Sequence, residues 1–582
     1  MKKFFIAILI VCVAIAFFDS CNNSCWKKDT TVPGKQKPTT LNVRYWKVAD
    51  GDFKYPEIHD KELKYTPILN RPSCGICISG GGTVSASLST GYFKALKDLD
   101  LMKNLRYIAG VSGGTWGSAP YCFLPADIPD DRFLGPKYPP EKLTETILNK
   151  PPNPQSMTAA VTNAEIICLT LKNLLKYGHE AYTRAVGEIF LKPFGIDYST
   201  KYFTTDKYAA QKIIARNTEL SLDDFVTLRQ DRPYLVMNGT IFVPNPMVCS
   251  KYTVYPFEFT PLYSGLKAVE SVKGSYDQVI GGFFVESFGF DTTLKSVDSK
   301  KRSATVTPGK YPFTLCEPVG TSGEAVESAA VELGPIGTWP FPQFKYWNPS
   351  DSDLPKTPTY NFGDGGLIED TGVVSLLRRK VANIAVFLTE PFDTNPKSNE
   401  PKDMEERYYG YNQVASLFGQ PIYNTKKGCC YGKLIRDPID RTVFDPSQFE
   451  ELKNGLQKAK KNGGPIYVYG KYKVVTNRMF GVDVEGYSHC NIIWMCVDTC
   501  TNFNKKLPDP VKKKIGKPGE LQDFPVVKVF DQNIGHIIQL TRPQAYLLEN
   551  FAYWMVFGDP KPDKPLPPQA QAFKKLLGGK SH

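Results

Sequence analysis

Histidine is scarce in this chain: there are five among 582 residues, His59, His179, His489, His536 and His582. A Ser-His-Asp hydrolase needs one of them beside its nucleophile. Only His489 and His536 come late enough to follow a serine and an aspartate in the order of α/β hydrolases, and neither sits in a loop that would face one. A membrane-spanning run is also missing. The apolar N-terminal stretch Phe4 to Phe18 has 15 residues, against about 20 for a bilayer-crossing helix. Lys and Arg (71) outnumber Asp and Glu (59), but no long basic block appears, so no nucleic-acid partner is expected. Cys-x-x-Cys occurs once, at Cys74 and Cys77, without a second pair at finger spacing, which argues against zinc. No internal repeat is visible, so a solenoid is excluded.

What is present suits a large, loop-rich globular enzyme. Hydrophobic residues make up 42% and aromatics 13%, with 46 glycines and 46 prolines, which opposes disorder. Residues 1–20 read as a secretory signal: Lys2 and Lys3 form the basic start and Phe4 to Phe18 the apolar core. The expected location is therefore secreted or lumenal, or membrane-anchored where the segment is retained. Two triplets, Asn22-Asn23-Ser24 and Asn238-Gly239-Thr240, match N-glycosylation acceptors. The 14 cysteines are expected to pair in part as disulfides in that compartment.

The centre of the chain is Gly110-Val111-Ser112-Gly113-Gly114-Thr115-Trp116. It follows the apolar run Leu105 to Ala109 and precedes a helix start. Strand, sharp turn at a serine, helix is the setting of a nucleophile elbow, with Gly110 and Gly114 leaving room for strand and helix to cross. Upstream, the strand Cys74 to Ile78 runs into Ser79-Gly80-Gly81-Gly82 and a helix. Such a loop presents backbone N–H groups that can hold an oxyanion or phosphate. It is not a nucleotide P-loop, because no Lys-Ser/Thr pair closes it. Downstream, Asn361-Phe362-Gly363-Asp364-Gly365-Gly366 ends a strand from about Thr359. An aspartate there is well placed for chemistry at the carboxyl end of an α/β sheet, though it could equally cap the next helix.

In this order, the three motifs resemble the catalytic domain of the phospholipase B and lysophospholipase family. That domain is shared with the cytosolic phospholipases A and more distantly with patatin-like acyl hydrolases. Pro256 to Pro261 and Ile280 to Gly289 are also similar, and the likeness runs from about residue 70 to 550. The resemblance implies a Ser-Asp dyad without histidine: Ser112 as nucleophile, Asp364 as base, and the amides of Gly81, Gly82 and Gly113 as oxyanion hole. It implies phospholipid or lysophospholipid substrates at a membrane or micelle surface, with no cofactor and no metal. One departure stands out: the arginine that meets substrate phosphate in the cytosolic phospholipases A is here Val84. A catalytically impaired lipid-binding member of the same fold is the alternative. No calcium-binding C2 module precedes residue 70, so no calcium requirement is expected.

The expected fold class is α/β, a patatin-like layered sheet with parallel core strands, helices on both faces and a cap-like insertion. The expected division is a signal peptide over residues 1–20, an N-terminal extension over 21–70, a catalytic domain over 71–558 with a cap insertion at 126–230, and a mobile tail over 559–582. Residues 400–480 read as polar and irregular.

Overall fold

Five parallel strands run through the centre of a 14-stranded sheet in the computed structural model, which describes residues 38–48, 53–243, 253–273, 279–324, 342–350, 357–392, 410–421, 440–527, 538–559 and 565–578. The elements that carry the argument are strands β1 (Cys74–Ile78), β2 (Tyr107–Val111), β3 (Tyr234–Val243), β4 (Thr359–Asp364), β5 (Asn383–Leu388) and β6 (His489–Cys496). The helices are α1 (Gly82–Asp98), α2 (Gly113–Cys122), α3 (Ile166–Tyr177), α4 (Ala181–Phe190), α5 (Cys316–Ser322), α6 (Val373–Arg378), α7 (Arg542–Phe557) and α8 (Pro568–Leu577). The parallel order across the sheet is β3-β2-β1-β5-β6.

Every residue of β1 and β2 is buried, which is why both read as apolar runs without alternation: a parallel strand is covered on both faces. A Cβ on Gly75 would lie 2.7 Å from Leu376 of α6, while the neighbouring Cys74 thiol points to the Leu576 carbonyl of α8. The two helices therefore cover opposite faces. On the α8 side, Tyr92 of α1 stacks on Phe387 of β5, and Phe387 stacks on Phe573 of α8. The sheet continues beyond β3 as an antiparallel wing that includes Leu41–Lys47, Thr253–Phe259, Tyr263–Lys273 and Val279–Glu286.

One strand sets the position of the site. Along a single edge of β3, residue 238 pairs with Val111 of β2 and residue 239 pairs with Asp364 of β4. The parallel strand that leads into Ser112 and the antiparallel strand that ends in Asp364 thus meet end to end on consecutive residues.

Several sequence expectations change. The 21–70 extension contributes Leu41–Lys47 to the main sheet, paired with Val279–Glu286 and Ser303–Thr307. Within the expected mobile tail, α8 buries Phe573, Leu576 and Leu577. Its apolar side is needed to cover β5. The irregular 400–480 stretch holds a helix at Phe449–Lys461, which buries Phe449, Leu452 and Leu456 at helical spacing, and a strand at Ile466–Lys473. Residues 157–177 hold two helices, Met157–Thr162 and α3. The cap-like insertion at 126–230 is mainly short helices and 3₁₀ turns.

The disulfide expectation fails where it can be seen. Seven described cysteines (Cys74, Cys77, Cys122, Cys316, Cys490, Cys496 and Cys500) form no disulfide, and all seven are buried. Burial pushes Cys122, Cys490 and Cys500 up to about 12, so they act as small apolar groups in the core. Cys12, Cys21, Cys25, Cys249, Cys429 and Cys430, the signal segment and the Asn22 triplet lie outside the described residues. Among the described residues no helix is long and apolar enough to cross a membrane.

Candidate active site

Ser112 has φ 51° and ψ −125°, a left-handed conformation that costs a non-glycine residue about 1–3 kcal/mol. The turn is held by its surroundings. The Ser112 N–H donates to Ser322 Oγ (3.1 Å), Ser322 Oγ donates to the Asn238 carbonyl (2.6 Å), and Asn238 Nδ2 donates to the Gly110 carbonyl (3.0 Å). The half-buried Asn238 side chain is thus engaged with the end of β2. Gly114 allows the crossing the sequence predicts, since a Cβ there would stand 2.3 Å from the Ile78 carbonyl oxygen.

Ser112 Oγ donates a 2.8 Å hydrogen bond to Asp364 Oδ2, across 252 residues of sequence. The other carboxylate oxygen, Oδ1, accepts the Gly366 N–H at 2.8 Å. Asp364 is 1% exposed and Ser112 8%. Burial raises the Asp364 carboxyl from 3.8 to about 7, against the lowering pull of its bonds from Gly366 and Ser112. At neutral pH the group is therefore poised between its two forms, where proton transfer is most useful.

The glycine loop lies directly on the elbow. A Cβ on Gly113 would fall 1.9 Å from the Gly82 carbonyl oxygen, and one on Gly80 would fall 3.1 Å from Ser112 Cβ. Gly81 and Gly82 take φ of +122° and +56°, open to glycine without strain. Gly82 begins α1 and Ser112 caps α2, so two helix N-termini, each with partial positive charge, meet beside the hydroxyl. Gly81, Gly82 and Gly113 donate no backbone hydrogen bond to any described residue. Thr389 at the end of β5 props the loop: its N–H donates to Ser79 Oγ at 2.8 Å, and it faces Gly81.

Asp370 was not anticipated. Its Oδ1 accepts the Gly80 N–H at 3.1 Å, and its own N–H donates to Gln413 Oε1 at 3.2 Å. Gln413 Nε2 reaches the Gly366 carbonyl at 3.4 Å, which links the glycine loop to the Asp364 turn. Burial, and then the Asp364, Glu390 and Glu369 carboxylates, push Asp370 well above the ordinary range. Its place six residues after Asp364 was a usable signal. Nothing in the sequence marked Ser322.

The remaining expectations sort by position. Val84 is 4% exposed on α1, within the core. His489 is exposed at the first residue of β6, where its Nδ1 meets Ser488 Oγ. Ser112, Asp364 and the glycine loop lie at the carboxyl ends of β1, β2 and β5, so His489 stands at the opposite end of the sheet. His59 and His179 make no hydrogen bond to the dyad, and His536 and His582 lie outside the described residues.

No family model matches the chain. A 45-residue stretch is 47% identical to the protein named "Putative meiotic phospholipase SPO1" of Saccharomyces cerevisiae, over 8% of this chain and 7% of that one. Among solved structures, human GIVD cytosolic phospholipase A2 aligns at 12% identity with a TM-score of 0.40, covering 90% of this chain and 62% of that chain. Its complex with methyl gamma-linolenyl fluorophosphonate aligns at 12% identity and TM-score 0.36, covering 90% and 61%. The chain thus spans less than two thirds of the length of these proteins.

Proposed function

We propose that this chain is a serine acyl hydrolase that releases fatty acids from phospholipids or lysophospholipids, with Ser112 as nucleophile and Asp364 as base. The observation that carries the reading is the strained, buried serine bonded at 2.8 Å to a carboxyl raised to about 7. Ser112 Oγ attacks the ester carbonyl carbon as its proton passes to Asp364 Oδ2. Negative charge develops on the carbonyl oxygen, and the N–H groups of Gly81, Gly82 and Gly113 are the donors placed to take it. Each such donor is worth about 2.7–4 kcal/mol of barrier. Asp364 then returns the proton to the departing alcohol oxygen. Water, with Asp364 as base again, cleaves the acyl-serine and frees the fatty acid.

Two observations support the lipid class: the order of the three glycine motifs, and the short likeness to a protein named as a phospholipase. With Val84 in the core, a substrate phosphate must be met by other residues. The same position supports the second reading, an impaired lipid-binding protein of this fold. Residues 1–20 support a secretory route.

The test is fatty-acid release from phosphatidylcholine and lysophosphatidylcholine with a chelator present, comparing wild type with Ser112→Ala, each checked for folding. Release by wild type and a loss of at least a thousandfold in the variant are expected. A folded wild type that releases nothing from either lipid would favour the binding protein. Equal release by the variant would remove Ser112 from the mechanism.

A further inference from the structure

Helix α3 is amphipathic in an unusual sense: the residue it buries near its middle is Asn173, while Leu175 is 83% exposed. Leu175 is the most exposed large apolar side chain among the described residues. On a helical projection, Leu174, Ile167, Leu171 and Leu175 occupy one continuous sector on the side away from Ile166 and Asn173. Ile167, Leu171 and Leu174 are half-buried, so the sector is a partly open apolar strip. Lys172 and Lys176, both exposed, run along one flank of it, four residues apart. Apolar strip and lysine edge make up the pattern of a helix that lies in the plane of a lipid interface. At about 1.5 Å per residue, its 12 residues offer a strip about 18 Å long.

Helix α4 separates α3 from the site. Phe190 of α4 stacks on Trp116, one turn after Ser112, at 4.9 Å. Tyr182 of α4 donates to the Gly323 carbonyl, beside Glu324, whose carbonyl accepts the Asp364 N–H. At the base of α3 a cleft of about 620 Å³ is lined by Leu169, Ile189, Leu540 and Arg542. One wall of it continues from Ile538, whose carbonyl accepts the Thr83 hydroxyl next to Gly82. The helix, the cleft and the glycine loop are thus joined through neighbouring residues.

We infer that α3 is a lipid-interface anchor, with Leu171, Leu174 and Leu175 entering the headgroup boundary of an anionic membrane and Lys172 and Lys176 held against its charge. The inference rests on the hydrolase reading only for its purpose, since binding and catalysis are measured separately. The occupant is a membrane because an apolar strip with two exposed lysines along one flank complements an anionic lipid surface. Each lysine near an anionic surface strengthens binding by roughly fivefold.

The experiment is co-sedimentation of the full chain with phosphatidylcholine vesicles, with and without 30% phosphatidylserine, alongside hydrolysis of the soluble ester p-nitrophenyl butyrate. Leu175→Glu, Leu171→Glu/Leu175→Glu and Lys172→Glu/Lys176→Glu are compared with wild type. Wild type is expected to favour the anionic vesicles. Leu175→Glu should weaken binding at least fivefold and the double leucine variant more. The lysine variant should lose the phosphatidylserine preference, and soluble-ester turnover should not change in any of them. Vesicle binding by Leu175→Glu equal to wild type overturns the inference. So does a wild-type dimer in sedimentation velocity that Leu175→Glu dissolves, since a second copy would then cover the strip. Failure of wild type to cleave the soluble ester bears on the hydrolase reading and leaves the vesicle result standing.

Discussion

Asp364→Asn separates what the dyad does for chemistry from what it does for the fold. In the folded chain burial raises this carboxyl from 3.8 to about 7. Between those values the unfolded chain has released a proton that the folded one retains, so stability falls as pH rises from about 4 to about 7 and the full penalty is present above 7. Three pH units correspond to something on the order of 4 kcal/mol. Asparagine has the same shape and never ionises. Its oxygen can keep the Gly366 N–H bond and its nitrogen can donate to Ser112 Oγ. The variant should therefore be the more stable protein at pH 8. With an unfolding entropy of about 2.1 cal/mol/K per residue, the gain in Tm is about 3 °C if the chain melts as one unit. The gain should shrink to nothing near pH 4. Activity should move the other way, with a loss of about 10²–10⁴ because Ser112 no longer has a base. The assay pairs thermal melts at pH 4 and pH 8 with kcat/KM on p-nitrophenyl butyrate. Wild-type kcat/KM should fall about tenfold per pH unit below about 7. An Asp364→Asn protein that melts no higher than wild type at pH 8 would refute the reasoning, as would a wild-type acid limb near pH 4.

Two further substitutions probe the glycine loop. Gly113→Ala places a methyl 1.9 Å from the Gly82 carbonyl oxygen, so the loop must retreat from the elbow. Turnover of the soluble ester should fall about 10²–10³, the loss that goes with one oxyanion donor, and wild-type turnover in a folded Gly113→Ala protein would contradict the packing. Asp370→Ala frees the Gly80 N–H that Asp370 Oδ1 accepts; a net hydrogen bond of about 1 kcal/mol predicts a kcat lower by roughly fivefold to tenfold with KM little changed. Asp370→Asn keeps an acceptor oxygen and should restore most of kcat, and equal losses in both variants would show that the charge, not the bond, matters.

Local sequence determined the elements of the site. An apolar run into Gly-Val-Ser-Gly-Gly forces a strand, a turn at positive φ and a helix, because only glycine tolerates the approach of backbone to backbone on either side of Ser112. Ser79 to Gly82 likewise had to be a loop before a helix, and Asn361 to Gly366 a strand end. These are short-range steric rules, legible without knowing what lies across the sheet. Tertiary structure decided which of these pieces meet. Ser112 and Asp364 touch because β3 pairs with both β2 and β4 on consecutive residues, a register set by the whole strand. The depth of burial that raises Asp364 comes from layers hundreds of residues away in sequence. So does the placement of Asn238, whose nitrogen donates to the Gly110 carbonyl. Cysteine count suggested cross-links, yet seven of the described cysteines are buried in the core without a disulfide, since spacing along the chain says nothing of distance across it. The leucines of the outer strip of α3, half-buried at 171 and 174 and exposed at 175, look like core residues in sequence. Only the packing of α3 on α4, with Asn173 turned inward, leaves them facing out.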